Sequence, residues 1–372
     1  MSLNSTSVPS QRTNSTLLYG HEPLETLQHR VVDLCRTVLD KGSPTIERIH
    51  GGGFNRVIGL RLPGCDYILR IARYNDASMS HDVAPLKLLQ HYPEIPTPGL
   101  ITFDIGQDNA IGRPYMILER IPGKLLLYEY PNLPHKTKCA IARDLGRVFY
   151  TMHGIQNGAA GRLVWKENSL RLEPLDPAQG ESPLNISRAE PTLEMILAVL
   201  RSKLQINIKI NRERDMIYLI MFFEKLTEIA KEMGEAGVWD TALIYCLCHR
   251  DLEPRNIIVS EQGIAGILDW DSALFGPLLL SCCPPMWLWA WCDDGPEDQR
   301  RAGELPATPE AREIKKTFDD EAGSIYRRFA YQPQYRLARN LIRWMLDELH
   351  TNEDFREFER FCEEWAELKG SL

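Results

Sequence analysis

The feature that most constrains this sequence is a polar loop followed by two short apolar runs, within residues 245–271. Residues 245–248 are apolar, residues 249–256 are mainly polar, and residues 257–259 are β-branched. Glu261-Gln262-Gly263 is typical of a turn, and residues 264–268 are again apolar. Short apolar runs on either side of a glycine-containing turn predict a β-hairpin that directly follows the polar loop.

The predicted hairpin would bring three polar side chains together. Antiparallel pairing puts the end of the second strand beside the start of the first, so Asn256 and Asp269 would lie close to each other. Carboxylate and amide oxygens are the hard ligands that Mg²⁺ prefers. Asp251 precedes Asn256 in the loop, where its carboxylate could orient a hydroxyl group.

These residues resemble the catalytic loop of the kinase fold. His249-Arg250-Asp251-Leu252, then Asn256, then Asp269 match its loop signature and its downstream metal-binding aspartate. A protein kinase would also have Asp-Phe-Gly, Ala-Pro-Glu and a Gly-x-Gly-x-x-Gly loop. This chain instead has Leu268-Asp269-Trp270-Asp271 and a Gly51-Gly52-Gly53 stretch. The combination is similar to the aminoglycoside phosphotransferase and choline kinase-like superfamily of small-molecule kinases, particularly its fungal members.

The resemblance is closest over residues 248–277 and 282–289, and weaker over residues 51–153. It implies an α+β, protein kinase-like bilobal fold, with a small antiparallel-β N-lobe containing one or more helices and a larger, mainly α C-lobe. The corresponding domains are a polar, disordered tail at 1–20, a nucleotide-binding lobe at 21–121, and a catalytic and acceptor-binding lobe at 122–372. Antibiotic kinases of this superfamily usually have glycine where this chain has Arg250.

The resemblance also implies a reaction, in which the γ-phosphoryl group of ATP moves to a hydroxyl of a small-molecule acceptor. Asp251 would accept the hydroxyl proton, while Asn256 and Asp269 would hold one or two Mg²⁺ ions. His249 belongs to the same catalytic loop; we expect it to support the loop backbone, and a general-base role is the alternative. Asp271 would assist near the metal or face the acceptor.

In the N-lobe the resemblance assigns seven further residues to nucleotide binding. Gly51-Gly52-Gly53 would let backbone amides approach the phosphates, because glycine has no Cβ. Arg70 stands where the family has a phosphate-binding Lys, and Asp82 stands where its partner Glu lies. The alternative for Arg70 is an ordinary surface charge on an edge strand. The backbone of the hinge, from Glu119 to Ile121, would contact adenine.

Acceptor specificity is expected in the C-lobe. Trp287 and Trp291 are four residues apart and could form an aromatic wall for a cationic group, although core packing is the commoner role of such a pair. Acidic stretches at 293–294 and 319–321 could face an amine-bearing acceptor, although solvated helix faces are commoner. The sequence predicts neither the acceptor nor the oligomeric state.

Apolar periodicity and turn residues predict the remaining elements. The expected strands are residues 45–49, 57–62, 67–71 and 115–118, and residues 157–183 are expected to form a loop. The expected helices are residues 24–39, 80–91, 136–155, 192–208, 211–233, 334–350 and 354–368.

Composition limits the other classes of function. The net charge of −8 argues against nucleic-acid binding, and the longest apolar runs are too short to cross a membrane. The N-terminal residues do not resemble a signal peptide, and the nine cysteines lack metal-like spacing, so a cytoplasmic protein with reduced thiols is expected.

Three alternatives to a small-molecule kinase stay open. The first is a nucleotide-binding pseudokinase, suggested by Arg70 in place of Lys. The second is an enzyme of the same fold that uses ATP to activate an acid or to transfer adenylate. The third is a protein kinase, which the missing Asp-Phe-Gly and Ala-Pro-Glu elements disfavour.

Overall fold

The computed structural model describes residues 23–40, 42–49, 55–73, 78–184, 190–211, 217–239, 245–292, 297–347, 349 and 351–372. Backbone contacts divide them into an N-terminal unit, up to Ser80 plus Gly99–Arg120, and a C-terminal unit, His81–Pro98 plus the described residues from Ile121 onward. Residues 81–98 precede the expected lobe boundary, yet they join the C-terminal unit, where Pro96 O accepts a 2.8 Å hydrogen bond from Ile267 N. The predicted tail at 1–20 lies outside the described residues.

The described part of the N-terminal unit contains an antiparallel sheet, one complete helix and the start of a second. The strands have the order β1-β2-β3-β5-β4 and lie at Thr45–Arg48 (β1), Asn55–Leu62 (β2), Cys65–Ala72 (β3), Leu100–Asp104 (β4) and Tyr115–Glu119 (β5). Gly64 adopts φ 79° in the two-residue turn between β2 and β3, a conformation that glycine allows without strain. The helix α1 (Leu24–Leu39) packs its apolar stripe, including Val31, against sheet residues such as Leu69.

Helices dominate the C-terminal unit. They lie at Ser78–Leu89 (α2, which begins at the end of the N-terminal unit), Leu126–Glu129 (α3), His135–Gly154 (α4), Thr192–Asn211 (α5), Ile217–Glu235 (α6), Pro309–Ala330 (α7), Pro333–Asp347 (α8) and Asn352–Lys369 (α9). The rings of Phe149 on α4 and of Phe318 and Tyr326 on α7 meet edge to face, with centroids 5.1–5.4 Å apart. These contacts hold α4 against α7 in the core of the unit.

The C-terminal unit also contains two small sheets, with strand orders β10-β9-β8-β14-β11-β7 and β13-β12-β6. Their strands are Lys124–Leu125 (β6), Gln156–Asn157 (β7), Gly161–Lys166 (β8), Ser169–Pro174 (β9), Ser182–Pro183 (β10), Tyr245–Cys248 (β11), Ile257–Ser260 (β12), Gly263–Ile267 (β13) and Leu274–Pro277 (β14).

The prediction of a loop at residues 157–183 is wrong, because β8 and β9 form a hairpin there. Its two-residue turn consists of Glu167 and Asn168, with φ values of 51° and 57°. Both values match a type of hairpin turn that usually has the sequence Asn-Gly or Asp-Gly. Because this turn contains no glycine, the sequence lacked the usual signal for a hairpin.

None of the described helices combines the length and the apolar character that crossing a bilayer requires.

Candidate active site

The hairpin of β12 and β13 places Asn256 and Asp269 next to each other. Ile257 pairs with Ile267, and the ladder continues with a 2.7 Å hydrogen bond from Leu268 N to Asn256 O. Asn256 therefore lies opposite Leu268, one residue before Asp269. The hairpin therefore brings the end of its second strand beside the start of its first, as predicted, although the ladder shifts register between Ile258 and Val259.

Asp251 is held by two neighbours in the loop. The amide nitrogen Nδ2 of Asn256 donates to Asp251 O and to Asp251 Oδ2, both at 2.8 Å, and Asn256 itself is buried. Arg255 donates to the other carboxylate oxygen, Oδ1. The Asp251 side chain is about one third exposed, and that of Arg255 is 57% exposed. The Asp251 carboxylate is thus oriented by a buried amide and remains accessible.

His249 uses both ring nitrogens within the protein. Nε2 lies 2.9 Å from Leu268 O, to which it donates, and Nδ1 accepts from Asp251 N at 3.3 Å. This pattern assigns the proton to Nε2. Burial is the largest cause of the lowered pKa of His249. The geometry supports the expectation that His249 holds the loop backbone, because neither nitrogen is left for an acceptor hydroxyl.

Two residues of this region, Arg250 and Asp269, have left-handed backbone conformations, with φ values of 68° and 64°. Asp tolerates this conformation better than Arg does. Arg250 Nη2 lies 2.8 Å from both carboxylate oxygens of Asp347 on α8, which helps to hold the unfavourable conformation. The conformation also gives a physical reason why a related loop would use glycine at this position.

The hairpin is fixed from its turn by Asp144 on α4, which sequence reasoning missed. Ile264 N donates to Asp144 Oδ2 at 3.2 Å, and burial raises the pKa of Asp144. Gly263 has φ 127°, and a Cβ there would lie 2.3 Å from the same oxygen. In the sequence Asp144 is one of several polar residues on a predicted helix, so no local signal indicates that it contacts the hairpin.

The segment after the predicted hinge packs on the other side of the hairpin. β6 pairs with β12, and Ile121 lies against Gly266, where an added Cβ would come within 2.1 Å of the Ile121 side chain. Gly123 has φ 140° and approaches Val259 O so closely that a Cβ would lie 2.4 Å away. Ile121 therefore supports the hairpin, and its predicted contact with adenine stays a prediction.

The N-terminal predictions are tested only in part. Gly51, Gly52 and Gly53 lie outside the described residues. Arg70 is half-buried on β3, where it pairs with Val57 of β2 and Met116 of β5. The edge-strand alternative is therefore wrong, because β3 has a neighbour on each side.

The proposed partner of Arg70 and the hinge residue Glu119 stay predictions. Asp82 is buried on α2 and falls in the C-terminal unit, whereas Arg70 falls in the N-terminal unit. The helix begins at Ser78 and contains Pro85 in its interior, although the sequence suggested a start near Ser80. Glu119 ends β5 in the N-terminal unit, and its amide donates to Gly99 O at 2.8 Å.

A cavity of about 250 Å³ lies beside the catalytic loop in the C-terminal unit. Glu253 and Glu297 both line it. Burial, with repulsion from Asp251 and Glu297, raises the pKa of Glu253 to about 6, and burial also raises the pKa of Glu297. Further lining residues are His249, Arg250, Leu252, Ser281, Trp287, Gln299, Arg336, Arg339, Asn340, Arg343 and Asp347.

Trp287 and Trp291 do not form a helical pair. Residues 286–288 make a single 3₁₀ turn, so the expected helical spacing does not apply. Both indoles instead contact Tyr130, Trp287 edge to face at 5.6 Å and Trp291 stacked at 5.2 Å. Trp287 also lines the cavity, and its buried Nε1 has no hydrogen-bond partner among the described residues.

Asp271 is half-buried in the 3₁₀ turn Trp270–Ser272, directly after Asp269.

Of the two acidic stretches, only residues 319–321 are described, and they do not line this cavity. Residues 293–294 lie outside the described part of the chain. Residues 319–321 are engaged on α7 and α4, with Asp319 on Lys315 at 3.3 Å and Glu321 on Arg147 at 3.1 Å. Among the described residues, the carboxyl groups that line the cavity are instead those of Glu253, Glu297 and Asp347, and Asp347 is paired with Arg250.

Comparison with known proteins identifies relatives in sequence and in structure. A sequence model of the phosphotransferase enzyme family matches residues 45–314. A subtelomeric hrmA-associated cluster protein of Aspergillus fumigatus is 22% identical over 365 residues, covering 76% of this chain and 69% of the relative.

Solved structures agree with the fold. The aminoglycoside phosphotransferase APH(4)-Ia is 15% identical, covers 92% of this chain and 98% of its own, and has a TM-score of 0.51. APH(2″)-IIa, in a ternary complex with streptomycin and ATP, is 12% identical, covers 90% and 97%, and has a TM-score of 0.51. The predicted kinase-like fold, with an antiparallel-sheet N-terminal region and a helix-rich C-terminal region, is confirmed.

Proposed function

We propose that this chain, which belongs to the phosphotransferase enzyme family, transfers the γ-phosphoryl group of ATP to a hydroxyl of a small molecule. The observation that supports this most directly is the hydrogen-bonded pair of Asp251 and Asn256 beside Asp269. ATP as donor is supported by related structures, one a complex with ADP and hygromycin B and one a complex with streptomycin and ATP.

Asp251 is the proposed proton acceptor. Its Oδ2 is oriented by the buried Asn256 amide, and its Oδ1 is paired with the exposed side chain of Arg255. An exposed ion pair contributes little free energy, so Arg255 can release the carboxylate at small cost when an acceptor hydroxyl approaches. Asp251 would then orient the hydroxyl and accept its proton as the phosphoryl group is transferred.

Asn256 and Asp269 fit a magnesium site by their donor atoms. The Asn256 amide points its Nδ2 at Asp251, so Oδ1 is the atom that it offers to an ion. Asp269 supplies carboxylate oxygens from the adjacent position. Magnesium bound there would neutralise charge on the transferring phosphoryl group. The role of the chain itself is to hold these oxygens in place through the β12–β13 ladder.

The cavity beside the loop is the proposed acceptor site, and it suits an acceptor that bears an amine. Glu253 and Glu297 place two carboxyl groups in its wall, and each gains from a nearby cation because burial disfavours its charge. Repulsion from Asp251 and Glu297 adds to this effect at Glu253. The indole of Trp287 adds an aromatic surface to the same cavity. A cationic molecule with hydroxyl groups would pair with both carboxylates.

The test of this proposal compares Asp251→Asn with the wild type. Wild-type protein with Mg²⁺ and ATP is offered a panel of amine-bearing alcohols, and products that gain about 80 Da, the mass of a phosphoryl group, are detected by mass spectrometry. We expect Asp251→Asn to lower turnover by about 10²–10⁴-fold, because a general base is lost. Glu261→Gln, in the exposed turn of the same hairpin, is the matched control and should retain turnover.

The outcomes separate the alternatives. Unchanged turnover in Asp251→Asn would exclude the proposed role of this residue. Mg²⁺-dependent thermal stabilisation by ATP, without any product on a broad panel, would favour a pseudokinase. Products that carry adenylate would show that the fold uses ATP for a different transfer.

A further inference from the structure

A second group of ligand-type side chains lies away from the catalytic loop, on α4 and α7. His135 is the first residue of α4, Cys139 follows one turn later, and Glu313 lies on α7. His135 Nε2 lies 3.5 Å from Cys139 Sγ and 2.9 Å from Glu313 Oε2, and the three ligand atoms all lie within 4.8 Å of one another. We call these three residues the mixed cluster, because they offer nitrogen, sulfur and oxygen.

One distance in the mixed cluster already equals that of a tetrahedral zinc site, and a second can reach it by a movement of an exposed side chain. Bonds of about 2.3 Å to sulfur and about 2.0–2.2 Å to nitrogen and oxygen place neighbouring ligand atoms about 3.4–3.6 Å apart. The Sγ–Nε2 distance of 3.5 Å already has this value. The Nε2–Oε2 distance of 2.9 Å is shorter, and the Glu313 side chain is 65% exposed and free to adjust.

The scaffold beneath the mixed cluster is rigid. Residues at i and i+4 lie on one face of a helix, so His135 and Cys139 point the same way. The aromatic contact between Phe149 and Phe318, 5.3 Å between ring centroids, keeps α4 and α7 together. The packing of these two helices therefore brings the three ligand atoms together.

We propose that His135, Cys139 and Glu313 form a binding site for a divalent ion of the zinc class, with three protein ligands and a fourth position open to water. The combination of imidazole, thiolate and carboxylate suits zinc better than magnesium, which takes oxygen ligands. His135 is 36% exposed, so an ion can reach the site from solvent. Such an ion would connect the start of α4 to α7. The inference does not depend on the proposed phosphoryl transfer.

The test uses Co²⁺ as a spectroscopic substitute for Zn²⁺, on protein without a polyhistidine tag and in excess Mg²⁺. Wild-type protein should develop thiolate-to-cobalt charge-transfer absorption with one equivalent of Co²⁺, and Zn²⁺ should displace the Co²⁺. Cys139→Ser should lose this absorption. Glu313→Gln, an exposed substitution that leaves the core intact, should weaken Zn²⁺ binding at least about 10-fold.

Cys362→Ser is the matched control, since Cys362 is a half-buried thiol on α9. It should bind both ions as the wild type does. Absence of the charge-transfer absorption in the wild type, or its persistence in Cys139→Ser, would overturn the proposal. Unchanged Zn²⁺ affinity in Glu313→Gln would also overturn the three-ligand site.

Discussion

The C-terminal unit contains two clusters of ligand-type side chains whose donor atoms differ. Asp251, Asn256 and Asp269, the oxygen cluster, offer only hard oxygen donors around the β12–β13 hairpin. The mixed cluster of His135, Cys139 and Glu313 offers one nitrogen, one sulfur and one oxygen. Because donor softness governs ion preference, the two clusters should select different ions in the same molecule.

The clusters also differ in how the chain assembles them. The oxygen cluster spans only residues 251–269 and is held mainly by hydrogen bonds within one loop and hairpin, with Asp144 on α4 as a distant support of the turn. The mixed cluster joins residues 178 positions apart, and it exists only because α4 packs on α7. A local cluster can keep its geometry through its own hairpin, whereas a distant one depends on the packing of the whole unit.

The largest effect that this comparison predicts is on phosphoryl transfer, when one residue of either cluster is substituted. Asp269→Asn removes a carboxylate from the oxygen cluster, and we expect phosphoryl transfer to fall by about 10²–10³-fold, because charge stabilisation is lost. The same variant should bind Zn²⁺ at the mixed cluster as the wild type does. Cys139→Ser should show the reverse, with turnover in Mg²⁺ within about two-fold of wild type, measured under single-turnover conditions.

The contrast between the clusters would fail under two results. A fall in Mg²⁺-dependent turnover in Cys139→Ser would mean that the mixed cluster influences the reaction. Loss of Zn²⁺ binding in Asp269→Asn would mean that the ion binds at the hairpin. A thermal unfolding curve for each variant checks that the fold is retained.

A second prediction examines the one long-range contact that holds the oxygen-cluster loop from α8. Arg250 has a left-handed conformation, φ 68°, and donates to Asp347. Arg250→Ala loses this pair and keeps the unfavourable conformation, whereas Arg250→Gly loses the pair and removes the strain. A left-handed alanine costs about 1–2 kcal/mol, and the greater freedom of unfolded glycine offsets about half of that. We expect Arg250→Gly to be about 1 kcal/mol more stable than Arg250→Ala.

The measurement is urea unfolding of both variants and of Asp347→Asn, compared at equal m values. Asp347→Asn should cost no more than about 1 kcal/mol, since Asp347 is 50% exposed. Equal stability of the glycine and alanine variants would mean that the loop does not resist a side chain at this position.

The oxygen cluster could be predicted from sequence because its parts are local. The polar loop, the turn and the two apolar runs predicted the hairpin. Pairing of its two strands puts Asn256 beside Asp269. The same periodicity arguments predicted α1 and four of the five strands of the N-terminal unit, and they missed β4. In these segments the pattern of buried residues and the local backbone preference agree, so the sequence is informative.

Features made by distant packing were not predictable. Cys139 lies one helical turn from His135, but Glu313, the third residue of the mixed cluster, is on another helix. The spacing of the cysteines in the sequence therefore did not indicate the proposed metal site. Asp144 fixes the hairpin turn from α4 without any local signature. The β8–β9 hairpin was missed because its turn uses Glu167 and Asn168 in left-handed conformations without glycine. In the first two cases tertiary contacts decide the outcome, whereas in the hairpin it is a local turn without the usual glycine.

The smallest expected effect concerns the charge that the oxygen cluster exerts on the neighbouring cavity. Burial and repulsion from Asp251 and Glu297 raise the pKa of Glu253 from 4.5 to about 6. Between these pH values the folded protein binds more protons than the unfolded chain, so this group's contribution to stability falls as pH rises through that range. Above about pH 6 the charged Glu253 destabilises the fold by on the order of 1 kcal/mol. Glu253→Gln should therefore raise Tm at about pH 7.5 and change it little at about pH 5.

Asp251→Asn tests whether the oxygen cluster is a source of this effect. Removing the Asp251 charge should lower the pKa of Glu253, so the stabilisation by Glu253→Gln at about pH 7.5 should be smaller in the Asp251→Asn background. Thermal unfolding of the two single variants and the double variant, without Mg²⁺, measures this coupling. Strict additivity would mean that the carboxylates do not interact, and the cavity would then be electrostatically independent of the oxygen cluster. Coupling would mean that the negative charge of the oxygen cluster favours a cationic acceptor in the cavity. The mixed cluster shares no residue with the cavity lining and should have no such direct influence.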